Sequence, residues 1–378
     1  MLILSILASK LGVSFYGEYV VLLSFVSIFV IIGDLGLGML LPKLISKHRF
    51  NTEKISKYAS FYFLVKIFAA ILLAIILFVL LKNSLTLKVI ILLYLVMRVI
   101  NPEIIFHGLE DYKYIATINL LSKIIQVFLI LTINFADQGL EKLFGVTLFV
   151  LFLTNILLYH RLFFKLKLGF EILPFKVMRT LIRSSLGFYF ARFFQNLYSQ
   201  GSTYVISFFL SIELVAIYSI ATDFYKAGGA LIGGVGRVLY TSLALTKNFI
   251  LLKKITAFSL LLHIIFLPSI YFFGGMVLDL MFEFDVEVLY QLSLFLYVSL
   301  AFTIINSFWG YPALTAVNEE RLAHICLIAT AVTYYAVLSI LVLSGQLTII
   351  NAVFCIIIAD FAGVLMRIIF ALHKNILP

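Results

Sequence analysis

Residues 184–243 read SSLGFYFARFFQNLYSQGSTYVISFFLSIELVAIYSIATDFYKAGGALIGGVGRVLYTSL and contain two apolar runs, each long enough to cross a bilayer. The runs meet near Ser211–Glu213, and they carry Arg192, Gln195, Asn196, Gln200, Asp223, Lys226 and Arg237. A charged side chain at the bilayer centre costs about 2.5–3.5 kcal/mol on insertion scales. We therefore expect these side chains to face protein or a water-filled cavity, with the two helices forming the wall of a polar pathway.

The composition is that of an integral membrane protein. Hydrophobic residues make up 63% of the 378 residues, charged residues make up 12%, and the mean hydropathy is +1.14. Apolar runs of about 20 residues, the length of a membrane-spanning helix, recur from end to end. The sequence therefore predicts an all-α polytopic membrane protein. Cys326 and Cys355 lie inside apolar runs, so we interpret them as packed hydrophobic residues.

The apolar runs predict about twelve transmembrane helices in two sets. A short apolar stub at residues 1–8 is interpreted as a truncated first helix. The remaining runs of the first set lie at 19–41, 58–81, 85–107, 114–134 and 143–159. After a basic loop from His160 to Ser184, the second set lies at 185–208, 214–243, 255–273, 288–309, 322–343 and 348–371.

The distribution of Lys and Arg predicts the orientation. If the loop after the second span is cytoplasmic, seventeen basic residues lie on that side and only four lie on the other. Basic residues resist translocation, so this asymmetry predicts that the acidic segment Asp279–Glu287 lies outside and, if the first helix is complete, that both termini lie in the cytoplasm. The net charge of +10 then follows from topology, and no nucleic-acid partner is expected.

An internal repeat occurs at a spacing of 199 residues. The segment LGVSFYGEYVVLLSF from Leu11 aligns with LSIELVAIYSIATDF from Leu210, and the alignment matches Tyr19 with Tyr218 and Phe25 with Phe224. Both segments join one span to the next, which is typical of transporters built from duplicated halves. We predict an N-terminal six-helix bundle at 1–165, a basic cytoplasmic linker at 166–184, and a C-terminal six-helix bundle at 185–378.

More cations than anions lie inside the predicted spans. The cations are Lys66, Arg98, Lys123, Arg192, Lys226, Arg237 and Arg367; the anions are Asp34, Glu103, Asp223 and Asp360. Those nearest the span ends could instead snorkel to the headgroups, notably Lys66, Arg237 and Arg367. Spacing predicts an Asp223–Lys226 pair and an Asp360–Arg367 pair. The cations that remain favour an anionic passenger, and phosphate suits Arg and Lys together.

No pattern in the sequence indicates a catalytic or metal site. The histidines match no metal-ligand spacing, no nucleophile and base are paired, and we expect no cofactor. Helix breaks are predicted at Asn101-Pro102 and Pro268. The glycines between Gly228 and Gly236 are compatible with close helix packing or with a flexible point.

Three segments carry a family resemblance: GDLGLGMLLPKLISK at 33–47, NPEIIFHGLEDYKYIATINLLSKI at 101–124, and IELVAIYSIATDFYKAGGALIGG at 212–234. They resemble the Wzx-type O-antigen and polysaccharide flippases of the multidrug/oligosaccharidyl-lipid/polysaccharide (MOP) exporter superfamily. The resemblance implies two six-helix bundles around a V-shaped central cavity, and alternating access. The implied cargo is an undecaprenyl-diphosphate-linked oligosaccharide, moved to the outer leaflet of the bacterial inner membrane. It also implies cooperation with polysaccharide polymerase machinery.

The resemblance and the excess of cations give one hypothesis for the site. The lipid diphosphate would contact Arg98, Arg192 and Lys226, with Lys123 and Lys66 next. The sugar would contact Gln195, Asn196 and Gln200. A coupling ion, either a proton or sodium as in related exporters, would be carried by Asp34, Asp223 or Asp360.

Two other functions are weighed against this hypothesis. A drug or organic-cation antiporter of the same superfamily would need an anionic cavity, and the excess of cations within the spans argues against it. A membrane glycan polymerase or ligase usually needs a sizeable external loop, whereas the longest predicted outer segment, residues 274–287, is short. We therefore expect a transporter and not an enzyme.

Overall fold

The computed structural model describes residues 8, 12–133, 135, 139–171 and 173–373, and it does not describe the side chains of residues 241, 244 and 245. The α-helices are α1 Val13–Ile32, α2 Leu37–Lys47, α3 Thr52–Leu80, α4 Leu85–Val99, α5 Glu103–Gly108, α6 Tyr112–Thr132, α7 Gly139–His160, α8 Phe175–Asn196, α9 Ser202–Ile206, α10 Ile212–Thr246, α11 Phe249–Met281, α12 Glu287–Trp309, α13 Tyr311–Ala316, α14 Glu320–Leu343 and α15 Ile349–His373. Two π-helical segments, Arg161–Lys165 and Leu197–Gly201, follow α7 and α8. The predicted stub at 1–8, except Ala8, and Leu11 of the repeat lie outside the described residues.

The described part of the chain contains nine helical segments that are long and apolar enough to cross a membrane. The long helices α8 and α10 are not among these nine. They are the two helices of the 184–243 stretch, in which charged and amide side chains interrupt the apolar sequence. The two most polar long helices are therefore the pair that the sequence predicts as the wall of a polar pathway.

The run predicted as one span at 19–41 is two helices, and this prediction is corrected. Helix α1 ends at Ile32, and a turn through Leu35 and Gly36, with φ of 51° and 74°, leads into α2. A Cβ atom at Gly36 would lie 2.2 Å from the carbonyl oxygen of Ser185. Only glycine satisfies both the left-handed backbone and the close approach of α8.

The basic loop predicted from His160 to Ser184 is shorter than expected, because α8 already begins at Phe175. Residues 166–171 and 173–174 form a strap across the start of α3. The amides of Gly169 and Glu171 donate to Ser56 Oγ and Ser60 Oγ at 3.1 and 2.9 Å. Leu168 and Leu173 bury their side chains in the core beneath the strap. The four basic residues of α8 interrupt the apolar pattern by which the sequence would indicate a membrane-spanning helix.

Two compact units make up the described chain. The N unit is Phe25–Phe193, and the C unit is residues 12–24 together with 194–373, so the boundaries fall inside α1 and α8. In the N unit, α4 packs against α3 and α7, α6 packs against α7, and α2 packs against α5. In the C unit, α12 packs against α11 and α15, α14 packs against α15, and α10 packs against α13. The division predicted at 165 and 185 stays a prediction.

Four packing pairs of the N unit have counterparts in the C unit, as the internal repeat predicts. Val13 and Ile212, the first residues of α1 and α10, are 199 residues apart, as are Lys47 and Thr246, the last residues of α2 and α10. Tyr19 and Tyr218, which the repeat aligns, are both buried. The chain is therefore an all-α polytopic protein with a duplicated architecture.

The glycines of α10 serve close packing against α12. A Cβ atom at Gly228 would lie 2.7 Å from Leu300 Cδ1, and one at Gly236 would lie 2.7 Å from Ser307 Oγ. Helix α10 continues without interruption over 35 residues, which favours the packing interpretation over a flexible point. Helix α11 continues through Pro268, so the helix break predicted there is wrong.

Candidate functional site

The first polar cluster lies in the N unit around Asp34, in the turn between α1 and α2. Lys66 Nζ of α3 lies 3.6 Å from Asp34 Oδ1, and Arg192 Nε of α8 lies 3.8 Å from Asp34 Oδ2. Lys66 is only 4% exposed, and its Nζ also donates to the carbonyl oxygen of Gly33 at 2.8 Å. One carboxylate therefore lies between two cations, and the cluster keeps a net positive charge.

The Asp34 cluster depends on a glycine and an aromatic ring. A Cβ atom at Gly38 would lie 2.6 Å from Arg192 Nη1 and 2.8 Å from Asp34 Oδ1, so the bare backbone makes room for this pair. The Tyr62 ring centroid lies 5.5 Å from Lys66 Nζ, within cation–π range. The cluster is thus held by α1, α3 and α8.

A second cationic group of the N unit contains two exposed side chains, Arg98 in the last turn of α4 and Lys123 near the middle of α6. Lys123 Nζ donates to Gln126 Oε1 at 3.0 Å. Arg98 is close enough to interact electrostatically with Lys123 and with Glu103. Glu103 Oε1 in turn lies 3.7 Å from His107 Nε2 and accepts a hydrogen bond from Asn119.

Amide side chains support the helix break between α4 and α5. Asn101 Nδ2 donates to Asn155 Oδ1 at 2.8 Å, and Asn155 Nδ2 donates to the carbonyl oxygen of Met97 at 2.9 Å. Tyr62 Oη donates to the carbonyl oxygen of Asn101. The carbonyl groups that the break at Asn101-Pro102 removes from the helix therefore have partners. Sequence analysis predicted the break but missed Asn155, whose only signal is an amide inside an apolar run.

In the C unit, the predicted Asp223–Lys226 pair is confirmed. Lys226 Nζ donates to Asp223 Oδ1 at 2.8 Å, because residues three apart share one face of α10. The two side chains are 37% and 29% exposed, with Lys226 the more exposed. The pair can therefore be reached by solvent or by a ligand.

The buried carboxylate of the C unit is Asp360 on α15. Its Oδ2 accepts hydrogen bonds from Tyr225 Oη and from Ser299 Oγ, the latter at 2.9 Å, and its Oδ1 lies 3.3 Å from Tyr198 Oη. Asp360 is 5% exposed. Sequence analysis singled out Asp360 but missed Tyr198, Tyr225 and Ser299, because they come from three different elements.

The predicted direct pair between Asp360 and Arg367 is wrong. Arg367 Nη1 instead donates to Asn306 Oδ1 and to the carbonyl oxygen of Gly363, both at 2.9 Å. Asn306 Nδ2 donates to the backbone carbonyl of Asp360 at 3.0 Å, so the amide links the two residues. Residues seven apart are two turns apart along a helix, about 10 Å, so the carboxylate satisfies itself with hydroxyls instead. Arg367, 3% exposed, is packed in the protein and does not snorkel.

The predicted sugar contacts lie where α8 changes to a π-helix. Gln195 and Gln200 are exposed, and Asn196 is half-buried. Ser24 Oγ donates to the Gln200 carbonyl oxygen at 2.5 Å, and Tyr335 Oη donates to the Leu197 carbonyl oxygen at 2.8 Å. Single-turn π segments occur often at functional sites, and this one directs Tyr198 to Asp360.

The structure thus divides the five predicted diphosphate contacts into three groups: Lys66 with Arg192, Arg98 with Lys123, and Lys226 alone with Asp223. Of the three predicted ion carriers, Asp34 and Asp223 are partners of cations, and Asp360 is surrounded by hydroxyls. Within the described ranges, no group of three or more His, Cys, Asp or Glu side chains is arranged to hold a metal ion.

Comparison with known proteins identifies relatives of this architecture. A family model described as "Polysaccharide biosynthesis protein" matches residues 1–241. No curated protein matches the chain in sequence.

Solved structures share the fold over nearly the whole chain. An inward-facing multidrug resistance MATE family transporter of the MOP superfamily has a TM-score of 0.77 at 15% identity, covering 99% of this chain and 93% of that one. Lipid II flippase MurJ, in an inward closed conformation, has a TM-score of 0.73 at 14% identity, covering 99% and 86%. The eukaryotic MATE transporter AtDTX14 has a TM-score of 0.72 at 13% identity, covering 99% and 91%. The resemblance to MOP transporters stated from the sequence is confirmed.

Proposed function

This chain belongs to the polysaccharide biosynthesis protein family, and we propose that it moves undecaprenyl-diphosphate-linked oligosaccharide repeat units across the bacterial inner membrane. Movement would run from the cytoplasmic to the outer leaflet by alternating access and would supply O-antigen or related polysaccharide synthesis. The MOP fold supports a transporter, and one structure with that fold is a lipid II flippase, which supports a lipid cargo.

The observation that carries this proposal is the exposed pair Arg98 and Lys123. Arg98 lies 13 residues after Leu85, about 20 Å along the helix, and Lys123 lies near the middle of α6. Among the described residues, no carboxylate lies within salt-bridge distance of either cation. Two exposed cations at this depth are costly in hydrocarbon, whereas a diphosphate compensates both charges.

The other predicted contact residues differ in exposure, and we assign them different roles. Arg192 and Lys226 are partly exposed beside Asp34 and Asp223, so a diphosphate can compete with these carboxylates for them. Lys66 is buried, and we assign it the role of holding Asp34 in place. The exposed amides of Gln195 and Gln200, with Asn196 between them, are suited to hydrogen bonds with sugar hydroxyls.

Asp360 is the best of the three candidates for coupling transport to an ion. It is buried among hydroxyl groups from Tyr198, Tyr225 and Ser299, and it makes no direct salt bridge in the described part of the chain. A carboxylate with several oxygen neighbours can exchange a proton or hold sodium, a cation that oxygen ligands suit. Asp34 and Asp223 already neutralise neighbouring cations.

The proposal is tested in cells that lack the gene. Lipid-linked repeat units should accumulate in the cytoplasmic leaflet, and the wild-type gene should restore their export. The variant Arg98→Gln/Lys123→Gln should lower export at least tenfold, because both charges that meet the diphosphate are removed. The control Lys82→Gln/Lys88→Gln removes the same charge at the connection between α3 and α4 and should export normally.

Two results would count against the proposal in different ways. If deletion causes no accumulation of lipid-linked sugars, the flippase function is wrong. If the deletion accumulates them but the Arg98/Lys123 variant, present at normal levels, exports normally, only the diphosphate assignment is wrong.

One observation favours a second candidate, an organic-cation antiporter. Asp360 is a buried carboxylate next to the rings of Tyr198 and Tyr225, and carboxylates and aromatic rings both attract organic cations. A drug-susceptibility panel on the deletion strain separates the two functions. Increased sensitivity to cationic compounds, without accumulation of lipid-linked sugars, would favour the antiporter.

A further inference from the structure

The first turns of α8 carry a basic stripe, which we define as Lys176, Arg179 and Arg183. These residues are three and four positions apart, so they lie on one face of the helix, and all three are exposed. The hydroxyl groups of Thr180 and Ser184 lie at the border of this face, where they donate to carbonyl oxygens one turn earlier. The face is therefore polar and positively charged over about two turns.

No carboxylate within the surrounding sequence balances the basic stripe. Between Glu171 and Glu213 the sequence contains neither Asp nor Glu. The salt bridges of the described residues include none from the stripe, and the carboxylate nearest in sequence, Glu171, pairs with Lys57 at 3.5 Å. The three positive charges are thus free to meet an anion from outside the chain.

Helix stability does not explain the stripe. Positive charges in the first turn of a helix, such as that of Lys176, oppose the helix dipole. Like charges three or four residues apart repel one another as well. These residues therefore weaken the start of α8 unless an anion lies against them.

Topology alone does not explain the stripe either. The positive-inside rule counts basic residues near the end of a span and is indifferent to the helix face on which they lie. Here all the cations of the first two turns of α8 lie on one face. The position of the charges around the helix, and not merely their number, therefore requires an explanation.

Apolar side chains flank the stripe. Val177, Ile182, Leu186 and Phe190 are all exposed, and Phe175 at the start of α8 is 77% exposed. Exposed Phe and Leu residues beside Lys and Arg are typical of a helix at the membrane interface. Lys176 to Arg183 spans about 10 Å along the helix, comparable with the depth of one headgroup region.

We infer that the basic stripe binds the phosphate headgroups of anionic phospholipids, at the membrane surface that the distribution of basic residues predicts to be cytoplasmic. The cations meet the headgroup, and the apolar flanks meet the acyl chains. This site differs from the diphosphate contacts at mid-helix, although it shares α8 with Arg192, nine residues beyond Arg183 and about 14 Å away. It stands whether or not the proposed cargo is correct.

The test is hydrogen–deuterium exchange of the full-length protein in nanodiscs of phosphatidylcholine alone or mixed equally with phosphatidylglycerol. Anionic lipid should slow exchange of the amides in residues 175–184 at least threefold, because bound headgroups stabilise the start of α8. The effect should weaken in 0.5 M salt, which screens surface charges. The variant Lys176→Gln/Arg179→Gln/Arg183→Gln should abolish the difference between the two lipid compositions.

Two control variants distinguish the stripe from net charge. Lys253→Gln/Lys254→Gln/Arg321→Gln removes three cations elsewhere and should retain the protection of 175–184. A charge-conserving variant, Val177→Arg/Arg179→Val with Ile182→Arg/Arg183→Ile, moves two cations about 100° or more around the helix and should lose it.

Three results would overturn the inference. The first is equal protection of the wild type in both lipid compositions. The second is full protection in the charge-conserving variant, which would reduce the effect to net charge. The third is protection that responds to added undecaprenyl diphosphate but not to phosphatidylglycerol, which would reassign the stripe to the cargo.

Discussion

The helix breaks of the two units have the same architecture but different chemistry. In each unit a long helix is interrupted and followed by a short helix, then by a residue with positive φ: Glu110 at 61° in the N unit and Asn318 at 65° in the C unit. In the N unit, Asn155 of α7 supports the break with a neutral amide. In the C unit Arg367 of the last helix takes that place with a charged guanidinium.

This difference gives the two units of the duplicated scaffold different charges near their helix breaks. A neutral amide stabilises a helix break without introducing charge, and the N unit is left with exposed cations at Arg98 and Lys123. A buried guanidinium needs a nearby negative charge, and the C unit provides Asp360 through the Asn306 bridge. The N unit is therefore suited to an anionic group and the C unit to a proton or cation.

Replacing Arg367 and Asn155, one in each unit, should give the largest difference in the free energy of unfolding. Arg367→Met should destabilise the protein by about 3–6 kcal/mol, because it removes two charge-assisted hydrogen bonds, to Asn306 Oδ1 and to the Gly363 carbonyl, each worth about 1.5–3 kcal/mol. Asn155→Leu should cost about 1–3 kcal/mol, the desolvation of the amide and carbonyl groups it leaves unpaired. Unfolding in bicelles by denaturant measures both values. Equal costs would mean that the charge of Arg367 has no structural role.

The glycines next to each cluster should differ by a smaller amount. A Cβ atom at Gly363 would lie 2.6 Å from Thr330 Oγ1 and 2.8 Å from Arg367 Nη1, in the packed interior. Gly363→Ala should therefore cost about 1–3 kcal/mol, as overpacking of a core does. Gly38→Ala meets the more exposed Arg192, which can move away, and should cost less. The same unfolding measurement compares the two variants, and a larger cost at Gly38 would contradict this assignment.

Removing one of the hydroxyl groups that donate to Asp360 should give the smallest change in the free energy of unfolding. Tyr225→Phe deletes one hydrogen bond and keeps the ring, so it should cost about 0.5–1.5 kcal/mol. If Asp360 carries the coupling ion, this variant should also change the dependence of export on pH or on sodium. Tyr159→Phe, which removes a hydroxyl bonded to the Ile100 carbonyl in the N unit, is the matched control. An identical change in ion dependence in both variants would exclude a special role for the Asp360 site.

The fold was largely predictable from the sequence because its signals are local. Runs of apolar residues located the spans, Asn101-Pro102 located the break between α4 and α5, and the 199-residue repeat located matching helix ends. The turn at Gly33–Gly36 was missed because the residues around it remain apolar, so hydropathy does not mark the end of α1. The start of α8 was missed because the basic stripe makes its first turns resemble a loop.

The candidate site was less predictable, because its contacts join distant parts of the chain. Asp223 and Lys226 could be paired from their spacing on one helix. The approach of Lys66 and Arg192 to Asp34 depends on how three helices pack, which spacing does not encode. Asp360 was assigned the wrong partner, because hydroxyl groups such as that of Ser299 can satisfy a carboxylate and give no signal in an apolar helix.

The strap formed by residues 166–171 and 173–174 constrains the start of α8. Because the amides of Gly169 and Glu171 donate hydrogen bonds to Ser56 and Ser60, the connection between the sequence halves is held against the start of α3. A lipid headgroup that binds the first turn of α8 therefore acts on the same helix that carries Arg192, next to a connection that is fixed in place.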